Sequence, residues 1–347
     1  MTDLIINADG SVTFKSYEIN ANDTFKNKVA ILHDNNIEVL KNNGGILSSS
    51  NTVQNDGEKL YVQHNMTIDK TITSLDINDL NKDRYMYTDY ERDGYVKLES
   101  LFSKEMIDKV NNVIDRLHRT LQPCDTVFDE DGTGKLKQIQ YLYRYDPIFK
   151  DMIVTLSHVA KTLTGYDDIK VLNMQLFEKH PSISKPTRSH QDNAYFKVTP
   201  AVALTCWISL DDIDEGNGAL FYAKGTHHLP TRKHVRYNKS TTFRMRSGVP
   251  GLSLCLKEHP EELDTMMITR PGDVCIHNCN TIHRAGNNTT NKRRRAIGLV
   301  FIPTVCVNDE RLTKYHNDNL RDDIELQKYK NPSRYRMLKE QFKYLFE

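Results

Sequence analysis

The chain has almost no excess charge of either sign. Among 347 residues, 47 Lys and Arg stand against 46 Asp and Glu, so no broad basic field exists to hold a nucleic-acid backbone and no nucleic-acid partner is expected. Long apolar runs are missing too. The longest near-apolar stretch, Ala201 to Leu210, falls far short of the ~20 residues a membrane-spanning helix needs. The opening residues, MTDLIINADGSVTF, lack a basic segment leading into an apolar one, so no membrane partner or export is expected and the chain reads as cytoplasmic. Cysteine is sparse for the length. Cys124, Cys206, Cys255, Cys275, Cys279 and Cys306 make no small-domain disulfide framework and are expected to be reduced core thiols. Cys275 and Cys279 lie near His277 and His283, but no second cysteine pair closes a zinc tetrahedron. The single tryptophan, Trp207, falls in an apolar strand and reads as core.

What is present sorts into three parts: an extension over residues 1–85, a main domain over 86–310 and a helical segment over 311–347. The extension is polar, with apolar islands at Val29–Leu32 and Ile37–Leu40, a turn at Asn42–Gly45 and a loop at Ser48–Asn51. It is expected to pack on the core or act as a lid, because the islands would otherwise stay exposed. From Tyr90 the pattern sharpens. Ser103 caps a helix whose apolar stripe runs through Met106, Ile107, Val110, Val113, Ile114, Leu117 and Leu121. A second helix covers Ile148 to Leu163 and stops at Gly165. Gln138 to Arg144 alternates and is aromatic, which predicts a strand. Further strands are predicted at Val171–Phe177, Asp192–Val198, Ala201–Leu210, Ala219–Ala223, Asp273–His277 and Arg294–Ile302, with turns at Asp214–Gly218 and Pro271–Asp273. Many short strands without regular crossover helices mean a mainly β sandwich or barrel with flanking helices. The stretch 231–271 interrupts this rhythm and reads as an insertion or lid.

The chemistry concentrates in Ser189-His190-Gln191-Asp192-Asn193-Ala194-Tyr195-Phe196 and in Thr281-Ile282-His283-Arg284-Ala285-Gly286. On a strand, residues two apart share a face, so His190 and Asp192 would project together. A distant His283 would complete two histidines and one carboxylate on one face of an octahedral metal, leaving the opposite face open.

The segments QLFEKHP (175–181), HQDNAYF (190–196), LTCWISLDDIDEGNGALFYAKGTHH (204–228), RPGDVCIHNCNTIHRAGNN (270–288) and RRRAIGLVF (293–301) occur in the order seen in the phytanoyl-CoA dioxygenase family. The chain resembles that family from about Tyr90 to about Pro303. The resemblance implies a double-stranded β-helix core (jelly-roll, cupin-like) and iron(II), 2-oxoglutarate and dioxygen as cofactor and cosubstrates. It implies His190, Asp192 and His283 as iron ligands. The family places an arginine for the cosubstrate's far carboxylate in a window here filled by Arg293, Arg294 and Arg295. Arg294, eleven residues past His283, aligns best and shares a strand face with the small Ala296 and Gly298, while Arg295 is one register away. Gln175 and Lys179 resemble positions that face cosubstrate or substrate. Gln140, Arg144, Tyr195 and Phe196 are candidate substrate-pocket residues. His180, His227, His228 and His277 carry no such signal; His277, six residues before His283, could donate a hydrogen bond to a ligand but is read first as structural. The family usually has Gly-Ser after the distal histidine; this chain has Arg284-Ala285, so no role is carried over from that serine. Related halogenases lack the carboxylate, so Asp192 favours oxygen transfer or desaturation.

The expected function is oxidation of a C–H bond in a small-molecule metabolite, by hydroxylation, desaturation or ring closure, with release of succinate and carbon dioxide. Two alternatives stand beside it: a non-catalytic metal- or ligand-binding jelly-roll serving as sensor or structural protein, and an oxygenase acting on a protein side chain. Sequence selects neither substrate nor oligomeric state.

Overall fold

The computed structural model describes residues 2–6, 12–16, 49–55, 60–66 and 83–346, except 121–125, 129–135, 182–184, 237–242, 246–249, 252–253 and 331. Two facing sheets are built from β1 (Tyr95–Leu98), β2 (Ile169–Lys179), β3 (Thr187–His190), β4 (Leu204–Ser209), β5 (Leu220–Tyr222), β6 (Thr265–Met267), β7 (Val274–Asn278), β8 (His283–Ala285) and β9 (Arg294–Pro303). The larger runs β1-β7-β4-β9-β2 and the smaller β6-β5-β8-β3, antiparallel throughout. The strand spacing predicts such a sandwich, and the family resemblance implies this jelly-roll form of it. Thr2–Ile6 extends the larger sheet by pairing with β2 through Leu4 and Val171. Ser49–Asn55, part of which reads as loop from sequence, is a strand paired with Leu60–Met66. The islands at 29–32 and 37–40 and the turn at 42–45 lie outside the described residues.

Helices cover one face of the larger sheet: α1 (Asp83–Asp93), α2 (Lys104–Thr120) and α3 (Pro147–Thr164). Ser103 Oγ accepts from Met106 N at 3.2 Å, and Asp146 caps α3 by accepting from Ile148 N. Gly165 ends α3 at φ 72°, where only a residue without Cβ sits free of strain. The stripes bury Ile107, Val110, Ile114 and Leu117 from α2, and Phe149, Met152, Ile153 and Leu156 from α3. They meet Met174, Leu176, Ile208, Ile297 and Leu299 of the sheet, each buried side chain removing from water about 1.5–3 kcal/mol of apolar surface. Leu121, the end of the expected stripe, lies outside the described residues.

The opposite face of the larger sheet looks into the sandwich. There β2 presents Asn173, Gln175, Phe177 and Lys179, and its partners present Arg294, Ala296 and Gly298, Thr205 and Trp207, and Cys275 and His277. A register slip between Val300 and Phe301 leaves Leu172 unpaired and 43% exposed. That bulge lets Val171 and Met174, an odd number apart, both face the helices. Trp207 is therefore not helix-side core. It lies half-buried between the sheets, its ring 4.9 Å from that of Phe177.

Two expected strands fail for local reasons. The one over Gln138–Arg144 stops at Ile139, because Tyr141 turns left-handed at φ 56° and Leu142–Arg144 closes a 3-10 turn that buries Leu142 and Tyr143. The one over Asp192–Val198 is instead α4 (Asn193–Phe196), followed by only Val198–Thr199 in a short pairing. The Asn193 side chain exchanges hydrogen bonds with both Val198 N and Val198 O, a local closure that competes with extended structure. The last stretch forms α5 (Glu310–Lys330) and α6 (Pro332–Gln341), whose Leu320, Ile324 and Leu338 pack with Ala194 and Leu254. Among the described residues no helix is long and apolar enough to cross a membrane. Within the 231–271 stretch, His234–Arg236 pairs with Leu254–Leu256, and β6 is the edge of the smaller sheet.

The turn between β3 and α4 is braced from two sides. Gln191, fully buried, donates its backbone N–H to His234 Nε2 at 2.8 Å. Its side chain accepts from Arg232 N and donates to Asn280 O, each at 2.8 Å. His234 donates from Nδ1 to Arg232 O, which leaves Nε2 as the acceptor the turn requires.

Two predictions follow from this packing. Gly272 sits at φ 95° before β7, and a Cβ there would run into Phe102 O; Gly272→Ala should cost about 2 kcal/mol or more, read as a lower urea midpoint. Burial pushes His234 down to about 4 from its ordinary value. Between there and about 6.5 the unfolded chain binds the extra proton, so stability falls as pH drops, by about 2 kcal/mol at pH 5 relative to pH 7.5. His234→Gln keeps an acceptor for Gln191 and should lose this component; identical pH dependence of the urea midpoint in both proteins would refute it.

Candidate metal centre

His190 ends β3 and is the register partner of His283 on β8, which sets two imidazoles side by side, ring centroids 4.2 Å apart. Asp192 reaches them by the helical turn rather than by strand alternation, with backbone φ −60° and ψ −31°. Its Oδ1 lies 3.6 Å from both His190 Nε2 and His283 Nε2. One ligand atom from each of the three residues falls within 4.8 Å of the others, the metal-competent cluster found among the described residues. Both imidazoles donate Nδ1–H to a carbonyl two residues back, His190 to Arg188 O at 2.8 Å and His283 to Thr281 O at 3.0 Å. That fixes each tautomer with the Nε2 lone pair facing the centre.

The electrostatics suit a cation. Burial alone would raise the Asp192 carboxyl, but His283, His190 and His277 outweigh it and hold the group well below the usual carboxylate range. Burial drives His283 well below its ordinary value, so its imidazole stays neutral. Two imidazoles and one carboxylate fit a non-haem iron(II) ion. Cys275 and Cys279 do not join them. Their side chains lie in separate apolar clusters, and burial pushes the Cys275 thiol up to about 12.

The arginine window splits by strand parity. Arg294 points into the sandwich, 1% exposed, with its guanidinium carbon 5.5 Å from the Trp207 ring centroid. Nη2 donates to Gly218 O at 3.2 Å, while Nε and Nη1 have no hydrogen-bond partner among the described residues. Burial pushes its guanidinium down to about 10, which leaves it charged at neutral pH. A buried cation with two unanswered donors is costly unless an anion meets it, so a bidentate carboxylate fits this place. Arg295 points the other way and is already answered, by Glu178 at 3.3 Å and Asp115 at 2.6 Å. Arg293 joins the same Asp115 at 3.3 Å.

The remaining sequence candidates scatter. Gln175 and Lys179 face inward on β2 beside Arg294 and Gly298; Lys179 Nζ donates to Lys185 O at 2.7 Å. Gln140 accepts a long 3.4 Å contact from Asn173, whose amide also approaches Gln175 at 3.5 Å. Arg144 is exposed, its guanidinium 4.1 Å from the Tyr141 ring centroid. Tyr195 places its ring edge-on to His190 at 5.9 Å, but its hydroxyl is held by Leu254 O and Leu254 N. Phe196 packs away from the centre, in the cluster of Val198, Ala203 and Cys279. Sequence reasoning missed Asn173 and Thr205, and it ranked a structural role for His277 above that of a hydrogen-bond donor to a metal ligand. Thr205 Oγ donates to Asp192 Oδ2 at 2.6 Å, and His277 Nε2 lies 3.2 Å from the same oxygen. Only their inward parity on β2, β4 and β7 could have pointed to them.

The chain is 22% identical over 289 residues to a phytanoyl-CoA dioxygenase domain-containing protein 1 homolog of Caenorhabditis briggsae, covering 70% of this chain and 96% of that protein. It is 25% identical over 228 residues to an ectoine dioxygenase of Bordetella parapertussis, covering 61% and 72%. Its fold is similar to the crystal structure of EvdO2 from Micromonospora carbonacea var. aurantiaca complexed with 2-oxoglutarate, with TM-score 0.53 and 21% identity over 65% of this chain and 91% of that one. The sequence profile of the phytanoyl-CoA dioxygenase family matches residues 90–296, and the chain belongs to that family.

Proposed function

We propose that this protein is an iron(II)- and 2-oxoglutarate-dependent oxygenase that oxidises a C–H bond of a small-molecule metabolite. The observation that carries the reading is Arg294, a buried cation with two donors that have no partner among the described residues, on the inner face of the sheet whose β7 and β4 also bear His277 and Thr205. A non-catalytic metal-binding jelly-roll would have no need to keep such a group unanswered, whereas a 2-oxo dicarboxylic acid answers it. Membership of a family that includes ectoine dioxygenase and phytanoyl-CoA dioxygenase among its similar proteins supports the same chemistry and a small-molecule substrate.

On this reading His190, Asp192 and His283 hold the iron, and Arg294 takes the far carboxylate of 2-oxoglutarate. Bound together with dioxygen, iron and 2-oxoglutarate supply the oxidising power, releasing succinate and carbon dioxide. The chain contributes orientation and a dry interior. Phe177 and Trp207 pack on the inner face next to Arg294, which is 1% exposed, so bulk water does not reach the guanidinium. Gln175 and Lys179 line the same inner face, and Gln140 and Asn173 extend it as neutral amide donors and acceptors for cosubstrate or substrate.

The test is succinate release by anaerobically iron-loaded protein, started with dioxygen and 2-oxoglutarate against pools of small metabolites. Asp192→Ala should abolish it. Arg294→Ala should raise the KM for 2-oxoglutarate about 10- to 100-fold, the loss of a charge-assisted bidentate contact, with little loss of fold. Arg295→Ala should do the reverse, lowering stability by about 1–3 kcal/mol by leaving buried Glu178 with His118 as its remaining close partner, while that KM stays nearly unchanged. If wild-type protein holds neither iron nor 2-oxoglutarate, the oxygenase reading fails.

A further inference from the structure

Asp192 has two oxygens, and the structure treats them differently. Oδ1 faces the two ligand imidazoles. Oδ2 faces two donors that come from neighbouring strands of the larger sheet: Thr205 on β4 and its register partner His277 on β7. His277 is 1% exposed, so its hydrogen bonds are made inside the protein or not at all. An ionised carboxylate only accepts, which requires the hydrogen of His277 on Nε2. A neutral imidazole then carries a lone pair on Nδ1, and the hydroxyl of Tyr222 meets it at 2.8 Å. Tyr222 is itself fixed. It is the register partner of His283 on β5 and stacks on Tyr95, centroids 4.6 Å apart and planes 16° from parallel.

We infer that Tyr222 and His277 are positioning residues that, with Thr205, hold Asp192 as a one-oxygen ligand. The inference rests on the metal reading above and deepens it. With Oδ2 occupied by two donors, the carboxylate cannot swing to chelate through both oxygens. A chelating carboxylate would take one of the three positions left open by the triad, and those three are what a bidentate 2-oxo acid and dioxygen together need. Tyr222 acts one step removed, by donating to the Nδ1 lone pair that this tautomer of His277 carries and so fixing the angle of the ring. Without it, that lone pair is left unanswered in a buried site and the ring loses the contact that aims Nε2–H at Oδ2.

The test measures metal affinity and coordination, not turnover. Apo-protein is titrated with Co(II), reading both the dissociation constant and the visible ligand-field absorption, for wild type, His190→Ala, Tyr222→Phe, His277→Leu and His277→Gln. His277→Leu should weaken binding about 10- to 100-fold and change the ligand-field spectrum. Tyr222→Phe should move both in the same direction by a smaller factor, about tenfold. His277→Gln, whose amide nitrogen can donate to Oδ2 from the same side, should recover most of the affinity and the wild-type spectrum. A merely structural role would lower the melting temperature of the apo-proteins without this split between Leu and Gln. If His277→Leu does not fold, Tyr222→Phe decides, because the lost hydroxyl leaves the packing volume nearly intact. Wild-type affinity and spectrum in Tyr222→Phe, with His190→Ala still abolishing binding, overturns the inference and leaves the triad standing. Binding that survives His190→Ala unchanged overturns the triad reading, and this inference with it.

Discussion

The carboxylate of Asp192 is an ionised group inside a sandwich of two sheets, and its surroundings are arranged around the cost of keeping it there. Three imidazoles lie close to it, and a threonine hydroxyl and a histidine N–H hold one of its oxygens. Each of those groups must in turn be oriented. His190 and His283 are fixed by carbonyls of their own strands, and His277 by a phenol from the facing sheet. An isolated buried carboxylate would be protonated or expelled; this one is stable as a charge because the neighbours that lower its energy are themselves immobile.

The sandwich interior is polar along a line and apolar across it. β9 is buried along its whole length, yet its two faces meet opposite environments: Ile297, Leu299 and Phe301 join the helical layer, while Arg294, Ala296 and Gly298 face the cavity. The small Ala296 and Gly298 matter for their lack of volume. A Cβ on Gly298 would crowd the Phe177 ring at 2.8 Å, the ring that stacks beside Trp207 next to Arg294. The apolar half stabilises the fold and the polar half makes room for chemistry, and one strand serves both.

What could be seen in the sequence depended on whether periodicity or local side-chain chemistry decided the structure. The stripes of α2 and α3 are periodic, Ser103 and Gly165 mark two of their ends, and the helices form where those features place them. The grouping of His190 with Asp192 is visible, but the route is not: alternation along a strand would explain it, whereas the chain turns helical after Gln191 because Asn193 closes a local ring of hydrogen bonds. The inward parity of Arg294 follows from its small neighbours, two residues and four residues on. Parity on β2 could not be read so simply, because the extra residue Leu172 resets it. His277, Tyr222 and Thr205 carry no local signal at all. Their roles exist only once two neighbouring strands of the larger sheet and one of the facing sheet are brought together.

Gln191 makes a related point about assembly. The residue between the two adjacent ligands is bonded through its backbone to His234 and through its amide to Arg232 and Asn280, partners 43, 41 and 89 positions away. Such separations mean the ligand turn takes its final shape only after distant segments have closed large loops, the slow part of reaching the native state. The shape of the metal socket is therefore a property of the whole tertiary fold: a substitution at Arg232, His234 or Asn280 reaches the ligand turn through Gln191 without touching an ion.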